Sequence, residues 1–531
     1  MTRRGGIVIA GLVAVTSGVV AFALLSTRDQ RPPGAGEPHV TVTHGDAGPR
    51  DGAMPPRPVP VSAHGTGTLA VRVRDDGGRP LAARLTFVGI RGTRTPAFTH
   101  ADIGVEQPGG ILAFDRAFIV GDAVLSVPPG DYEVWTSHGT EWDAVSSTVH
   151  LTAGVTTSLD VSLRHVVDTP GWISGDFHVH AERSSDSRVP MRHRVYQFVA
   201  DGVDLIVATD HNVIADYAPV IADLGFTGRL ASLRGDEVTT HDWGHFGAFP
   251  LAGGVGSAAT KPIEVSGHTP ASMFAEIRRR SPEAVIDIHH PRLENGRMGY
   301  FHLGGLDTAK LRSSRPGFSL DFDAIEVLNG YQDPDRRSLD AVLGDWFAFM
   351  RRGRRITATG NSDSHHLTFN LGGYPRNYVQ LEDRPLDQLD PVLLARAVKA
   401  GRSYFTTGPI VGVFAGTQGI GDTVSTRRGP LSLRVEVRAP GWIDVDRVSI
   451  LVDGVVVLER PTNGSAPLRF GETLSVPIAR DGFVVVRVDG DRPMAPVIGD
   501  GDQFKVFPVA ITNPIWVDFD GDGTVTPSVV D

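Results

Sequence analysis

The chain has 531 residues, of which 41% are hydrophobic and 21% are charged, and its formal net charge at pH 7 is −10. This length exceeds one ordinary hydrophobic core and predicts about three folded domains, and the acidic balance argues against a nucleic-acid or anionic-membrane partner, since both need a basic surface. The sequence contains no cysteine, which excludes disulfides, thiolate metal sites and a catalytic cysteine, so any metal ion must be held by imidazole and carboxylate groups.

The N-terminal residues carry the pattern of an export signal. A basic start, with Arg3 and Arg4, precedes an uncharged and largely apolar stretch over residues 5–27. Such a stretch is long enough to span a bilayer, which takes about 20 residues, and residues 21–23 offer a small-x-small cleavage site. Residues 1–27 therefore predict either a cleaved signal peptide or a membrane anchor, and an exported protein, periplasmic or extracellular. Residues 28–65 are rich in Pro and Gly and predict a flexible linker.

Residues 66–166 predict a β-sandwich. Apolar and polar residues alternate over 68–73, a turn follows at 75–78, and no helical periodicity interrupts the strand-like segments. The Pro-Gly-Asp-Tyr turn at 129–132 resembles those of carboxypeptidase-regulatory-like domains. That resemblance implies a structural or spacer role.

Strand-like and helix-like segments alternate over residues 171–410. The strand-like segments are 203–208, 284–288, 324–328 and 355–359, and the helix-like segments are 191–200, 271–280 and 339–351. This alternation predicts an α/β domain with a parallel sheet, either open or closed into a barrel. Residues 411–531 return to strand patterning, as at 431–437 and 482–488, and predict a C-terminal β domain.

The apolar strands of residues 171–410 end repeatedly in residue types that bind metals. These residues are His178 and His180, Asp210 and His211, Glu237 and then His245, His289 and His290, and Asp363 and His365. The carboxyl ends of parallel strands meet at one edge of a sheet, where sites are built, and residues two apart on a strand share a face. The pattern predicts a metal site. His241, His268, His302 and His366 are predicted to lie at the surface or behind the ligands.

The motifs, in their order, resemble those of the polymerase and histidinol phosphatase (PHP) metallohydrolases. They are His178-x-His180, Thr209-Asp210-His211, Gly235-Asp236-Glu237, His290-Pro291 and Asn361-Ser362-Asp363-Ser364-His365. Ser184-Ser185-Asp186-Ser187, Gly244-His245-Phe246 and the flanking β domains resemble the CehA/McbA branch. The resemblance implies a distorted TIM-like (β/α)7 barrel over residues 171–410, between N- and C-terminal all-β sandwich domains.

The resemblance also implies how two or three divalent ions are held. His178, His180 and Asp363 hold one ion. Glu237 bridges to a second ion, held by His245 and His290, with the choice between His289 and His290 left open. His211 and His365 share a further position with Asp186, where PHP phosphatases often have a histidine, so that two-ion and three-ion sites are both open. Asp210 orients the adjacent ligand from behind.

These ligands predict hydrolysis. Imidazole and carboxylate suit Zn, Mn or Fe, and paired ions lower the pKa of water and stabilise a developing oxyanion. Arg292 is the candidate for binding an anionic substrate or developing charge, or else a solvated loop arginine. The sequence predicts an exported metal-dependent hydrolase of an ester, carbamate or amide bond in a small-molecule substrate. The alternatives are a PHP-type phosphoesterase and a non-catalytic, metal-stabilised surface or carbohydrate-binding protein.

The C-terminus carries a second candidate ion site. Asp518, Asp520, Asp522 and Gly523 match the first half of an EF-hand loop. The glutamate of the twelfth position is replaced by Val529. The segment predicts either a partial calcium loop or an Asp/Gly-rich turn, with a structural role in both cases.

Overall fold

The protein is rich in strands and poor in helices. The computed structural model describes residues 65–98, 103–252, 261–293, 299–331, 333, 336, 338–368, 370–499 and 504–526. These residues contain thirty strands and six α-helices. The predicted export segment, residues 1–27, and the predicted linker, residues 28–65, lie outside the described residues except for Gly65. Over the described ranges no helix is both long and apolar enough to cross a membrane.

The first nine strands form two sheets around a shared core. They are β1 (Gly67–Arg74), β2 (Ala82–Gly89), β3 (Val105–Gln107), β4 (Gly110–Ala113), β5 (Arg116–Val120), β6 (Asp122–Val127), β7 (Gly130–Ser137), β8 (Val145–Leu151) and β9 (Thr156–Ser162). One sheet has the order β6-β1-β9 and the other β3-β4-β5-β2-β7-β8. Leu69, Val71 and Val73 of β1 all point into the core, as the period of two in the sequence predicts.

Ten strands follow as far as residue 361. They are β10 (Trp172–Val179), β11 (Leu205–Ala208), β12 (Ala231–Arg234), β13 (Asp236–Thr239), β14 (His245–Phe249), β15 (Val285–His289), β16 (Leu306–Asp307), β17 (Arg312–Ser313), β18 (Ala324–Asn329) and β19 (Thr357–Asn361). The order β13-β14-β15-β18-β19 makes one five-stranded sheet, and β16 pairs only with β17.

The last eleven strands run to the end of the described chain. They are β20 (Arg376–Gln380), β21 (Ser403–Thr406), β22 (Ile410–Phe414), β23 (Thr423–Ser425), β24 (Leu431–Arg438), β25 (Arg447–Val452), β26 (Val455–Pro461), β27 (Leu468–Val476), β28 (Gly482–Asp489), β29 (Val509–Thr512) and β30 (Ile515–Asp518). A large sheet has the order β12-β11-β10-β20-β21-β29-β28-β25-β26, with β23 and β30 beside it, and a small one the order β22-β24-β27.

All six α-helices lie within residues 171–410. They are α1 (Met191–Ala200), α2 (Ala218–Asp223), α3 (Pro270–Arg280), α4 (Tyr300–Leu303), α5 (Leu339–Arg351) and α6 (Pro391–Lys399), with a 3₁₀ turn at Leu386–Gln388. The predicted helices at 191–200, 271–280 and 339–351 are confirmed as α1, α3 and α5. The start of α6 follows from its sequence, because Asp390 accepts the N–H of Val392 at 2.8 Å and Pro391 needs no hydrogen-bond acceptor.

The predicted distorted TIM-like (β/α)7 barrel between all-β sandwiches is wrong. Such a barrel needs parallel strands that are each followed by a helix, whereas strands far outnumber helices in the described chain. β10 pairs in parallel with β11 but antiparallel with β20, and β13 pairs antiparallel with β14. The large sheet also continues past residue 411, since β21 pairs with β29. A short apolar strand has the same local pattern beside a parallel or an antiparallel neighbour, so alternation of strands and helices could not reveal this pairing.

Candidate metal centre

The ends of several strands meet where the large sheet and the five-stranded sheet adjoin. His178 lies near the end of β10, Glu237 lies on β13 and His245 begins β14. Single β-bridges join the two sheets here, between Val179 and Ser364 and between His211 and Glu237. The side chains that follow these strands therefore point into one buried region. We call this the histidine cluster: His178, His180, Asp186, His211, Glu237, His245, His289, His290, Asp363 and His365.

The carboxylate of Glu237 is at the middle of the histidine cluster. Six histidine nitrogens lie near its oxygens: those of His211 at 2.7 Å, His289 at 2.9 Å, His178 at 3.0 Å, His245 at 3.2 Å, His290 at 3.3 Å and His180 at 3.4 Å. A carboxylate offers about four lone-pair sites. It cannot satisfy six imidazoles by hydrogen bonding alone.

Several of these atoms are buried without a hydrogen-bond partner. Nε2 of His178, Nε2 of His180 and Oε2 of Glu237 are in this condition, and the three side chains have no exposed surface. Burial by itself would raise the pKa of Glu237, but the surrounding histidines outweigh it and hold that pKa well below the ordinary value of 4.5. Converging imidazole and carboxylate groups of this kind could hold metal ions.

Two aspartates complete the histidine cluster on one side. Asp363 Oδ1 lies 3.2 Å from His180 Nε2 and 3.3 Å from His178 Nε2. Asp186 Oδ2 lies 2.9 Å from His211 Nε2 and 3.1 Å from His365 Nε2. Burial acts to raise the pKa of both carboxyl groups, but the neighbouring histidines lower it by a larger amount. Both pKa values therefore lie well below the ordinary range. The Asp186 side chain is 49% exposed, so the cluster meets solvent at Asp186.

The structure thus brings together all nine residues named as ligands from the sequence, which were His178, His180, Asp186, His211, Glu237, His245, His290, Asp363 and His365. It also brings His289 among them. The His289 ring stacks on that of His178, with centroids 3.6 Å apart and an interplanar angle of 18°. Both histidines of the pair at 289 and 290 therefore contact Glu237, and neither takes the place of the other.

Glu326, on β18, contacts the histidine cluster and was not among the residues predicted from the sequence. Its Oε1 accepts hydrogen bonds from His178 Nδ1 at 2.9 Å and from Asn361 at 3.0 Å, and its Oε2 accepts from the His290 N–H at 2.7 Å and from Asn329 at 2.8 Å. With its oxygens occupied in this way, Glu326 holds His178 with Nε2 directed at the cluster. The signal was a glutamate inside the apolar run 324–328, because a buried charge needs partners.

Asp210, which was predicted to orient a ligand, and Arg292, which was predicted to bind an anionic substrate, have other contacts. Asp210 accepts the N–H of Ala181 at 2.8 Å, and burial raises the pKa of Asp210 to about 6. It therefore contacts the main chain after His180 instead of the His211 ring. Arg292 forms a two-fold hydrogen-bonded ion pair with Asp345 of α5. Its guanidinium charge is thus compensated within the protein.

The carboxylates of the C-terminal loop act as acceptors for the loop itself. Asp518 Oδ1 accepts the N–H of Gly521 at 2.7 Å, and Asp522 Oδ1 accepts the N–H of Thr524 at 2.8 Å. Calcium binding by Asp518, Asp520 and Asp522 stays a prediction.

Neither a protein-family model nor a curated protein matches this chain. Among solved structures, it is similar to the minor pilin GBS52 of Streptococcus agalactiae, with 19% identity, a TM-score of 0.15 and coverage of 20% of this chain and 47% of that one. It is also similar to an endonuclease Q in complex with a 27-mer duplex with an abasic lesion, with 12% identity, a TM-score of 0.25 and coverage of 40% and 54%. The chain spans about half the length of these two structures.

A β-glucuronidase of Parabacteroides merdae is similar over 83% of this chain and 60% of its own, with 12% identity and a TM-score of 0.17. TM-scores this low do not establish a shared fold. What fold and site define together is a strand-rich protein with buried His/Asp/Glu groups that could hold metal ions.

Proposed function

We propose that the protein is a metal-dependent hydrolase that cleaves an ester, carbamate or amide bond in a small-molecule substrate. The observation that carries the proposal is the Glu237 carboxylate, buried among six histidine nitrogens at 2.7–3.4 Å. Such a donor set, with no sulfur ligand, suits Zn, Mn or Fe. The similarity of its motifs to those of PHP metallohydrolases supports hydrolytic chemistry, and the apolar N-terminal segment supports export.

The resemblance implies that the side chains of the histidine cluster divide into three groups that would hold two or three ions. His178, His180 and Asp363 would form one group. Glu237, His245 and His290 would form the second, and His211, His365 and Asp186 the third. In the structure these groups share members, because His180 also lies with Asp186, His211 and His365, and His290 also lies with His178 and Asp363. Paired divalent ions in such a site lower the pKa of water and stabilise negative charge that develops on the substrate.

Hydrogen bonds at Nδ1 would keep the Nε2 atoms of His178 and His180 directed at the ions. His178 donates from Nδ1 to Glu326, on the buried side. His180 Nδ1 lies 3.1 Å from Ser184 Oγ, and that hydroxyl donates to Asp186 Oδ1 at 3.0 Å. In both cases the ring carries its proton on Nδ1, so that the lone pair of Nε2 is available to bind an ion.

Asp186 marks the side from which substrate and water reach the cluster. Its side chain is 49% exposed, compared with 8% for His365 and none for His178 and Glu237. The reacting bond would therefore lie near Asp186 and His365, and the buried ligands would lie on the side of the site away from solvent.

A neutral acyl substrate fits this site better than a phosphate monoester. Arg292, the arginine expected to bind an anion, is already paired with Asp345 through two hydrogen bonds. Binding a phosphate through Arg292 would require breaking that pair, which is only partly exposed.

The proposal is tested by turnover of three chromogenic substrates with metal-loaded full-length protein: p-nitrophenyl acetate, a naphthyl carbamate and p-nitrophenyl phosphate. We expect hydrolysis of the ester or the carbamate, and a loss of at least about 100-fold in kcat/KM in Glu237→Gln. His302→Ala, which alters an exposed histidine outside the cluster, serves as the matched control. Preferred hydrolysis of the phosphate would favour a phosphoesterase, and bound metal without any turnover would favour a binding protein.

A further inference from the structure

The loop that carries Asp363 and His365 is held by hydrogen bonds to its main-chain carbonyls. Asn370 Nδ2 donates to the Asp363 carbonyl at 2.6 Å, and Ser187 Oγ donates to the His365 carbonyl at 2.9 Å. Asp363 itself has a φ of +51°, a region that non-glycine residues seldom adopt. The conformation of this loop therefore depends on hydrogen bonds to its carbonyls, both from within the loop and from Ser187 outside it.

Arg194 on α1 supplies the largest share of these contacts. Its Nη2 donates to the Ser364 carbonyl at 2.9 Å and its Nη1 to the His366 carbonyl at 2.8 Å. Its Nε donates to the carbonyl of His180 at 3.0 Å. One guanidinium thus joins the end of β10 to the loop after β19, two segments that each carry ligands of the cluster.

The chemistry of this contact is specific to arginine. Arg194 has no exposed surface, and its hydrogen bonds go to main-chain carbonyls and to the side-chain oxygen of Gln197. A planar guanidinium has five N–H donors in a rigid fork and can reach three carbonyls at once, whereas a lysine ammonium has three donors on a flexible stem.

We propose that Arg194 is a positioning residue that sets the separation of His180 from Asp363 and His365 and so builds the part of the metal centre that these three residues form. This inference rests on the proposed metal-dependent function. Glu237, His245 and His290 lie on or beside β13, β14 and β15, and the hydrogen bonds of Arg194 go to none of these three residues. The ion that these three residues would hold should therefore depend much less on Arg194, which reaches them only through the contact of His180 with Glu237.

The test is titration of metal-stripped, full-length protein with cobalt(II), followed by its visible absorption. Arg194→Lys is the main variant, and Ser187→Ala is a milder second variant that removes one donor to the same loop. His245→Ala identifies the signal of the ion held by Glu237, His245 and His290. Arg192→Met is the matched control, because Arg192 lies on the same helix but is half exposed and pairs with Glu106.

We expect Arg194→Lys to weaken cobalt binding about 10- to 100-fold at the ions held by His180, Asp363 and His365. The signal that is lost in His245→Ala should keep its affinity, and Arg192→Met should match the wild type. Unchanged cobalt affinities in folded Arg194→Lys and Ser187→Ala would overturn the inference, as would an equal weakening of every cobalt signal in folded protein. A wild type that binds no cobalt would overturn the proposed function and the inference with it.

Discussion

Single residues behind the ligands decide how well the histidine cluster is organised. Glu326 accepts from two side-chain amides, one main-chain N–H and the Nδ1 of His178, so that each carboxylate oxygen has two donors. Burial raises the pKa of Glu326, but His178 and its neighbours outweigh this and lower it below the ordinary value. It is therefore a carboxylate that orients ligands, with its lone pairs already in use.

Glu326→Gln tests this role. The amide keeps the shape but turns one acceptor into a donor that faces another donor, so we expect metal affinity to fall about 10- to 100-fold and the free energy of unfolding to drop by about 1–3 kcal/mol. Competition with a chelator and urea unfolding measure the two effects. Glu382→Gln, at an exposed glutamate paired only with Arg384, should change neither. Full retention of metal affinity in Glu326→Gln would contradict the orienting role.

The individual ligands were predictable because most lie at or just after the end of an apolar strand, and strand ends are where sites form. The contributions of Glu326 and Arg194 were not predicted. Both residues act through contacts that join chain segments more than a hundred residues apart, from His178 to Glu326 and from Arg194 to Ser364. No local spacing in the sequence encodes such a contact.

At the level of elements, the positions of helices and strands along the chain were predicted better than the pairing of the strands. The apolar periodicity located α1 and α5 at the residues where they are found, and the strand-like runs at 284–288 and 324–328 overlap β15 and β18. The direction of pairing was not predictable in this way. β14 and β15, for example, form an antiparallel pair beside the parallel pair of β15 and β18.

The pairing of β14 with β15 leaves room for the His289 ring only because residue 247 is glycine. A Cβ at Gly247 would lie 2.3 Å from His289 Nε2. We expect Gly247→Ala to displace the His289 ring, to lower the free energy of unfolding by about 1–3 kcal/mol and to weaken metal binding. Urea unfolding and metal analysis provide the readouts.

Gly344→Ala is the matched control for that substitution. Gly344 lies on an exposed position of α5, where an added Cβ meets no atom within 4 Å. Alanine should stabilise the helix there by about 0.5–1 kcal/mol. Equal effects of the two substitutions on unfolding and metal binding would show that the close approach at Gly247 has no consequence.

At the scale of the whole molecule, the sheets of residues 67–162 are tied to α1 by buried polar contacts. Arg84 of β2 and Asp201 at the end of α1 form an ion pair with no exposed surface, with Nε and Oδ1 2.8 Å apart. His138 Nδ1 donates to the Ala200 carbonyl at 3.0 Å beside this pair. The predicted barrel with flanking β-sandwich domains did not include these contacts, because they, like the pairing of β21 with β29, are set by tertiary packing.

This junction makes stability depend on pH. Burial lowers the pKa of His138 from 6.5 to about 4, against the opposing effects of the Ala200 carbonyl, Asp201 and Glu141. The folded protein therefore binds this proton less readily than the unfolded chain, so the contribution of neutral His138 is complete above pH 6.5 and is lost as the pH falls towards 4. We expect this loss to be on the order of a few kcal/mol, because one pKa unit corresponds to about 1.4 kcal/mol.

Urea unfolding of the wild type and of His138→Gln at about pH 7 and about pH 4.5 measures this contribution. Glutamine keeps a donor for the Ala200 carbonyl but does not titrate. The wild type should lose more stability than the variant as the pH falls. An identical loss in both proteins would show that His138 does not respond to pH in this range.

The most direct test of the central claim is elemental analysis of the purified full-length protein. The buried nitrogens around Glu237 predict tightly held divalent metal in the wild type, and far less in a His178→Ala/Glu237→Gln double variant of unchanged secondary structure. The control His302→Ala should retain the wild-type metal content. A wild type that remains metal-free after exposure to Zn, Mn and Fe, or a double variant with the same metal content as the wild type, would contradict a metal centre at the histidine cluster.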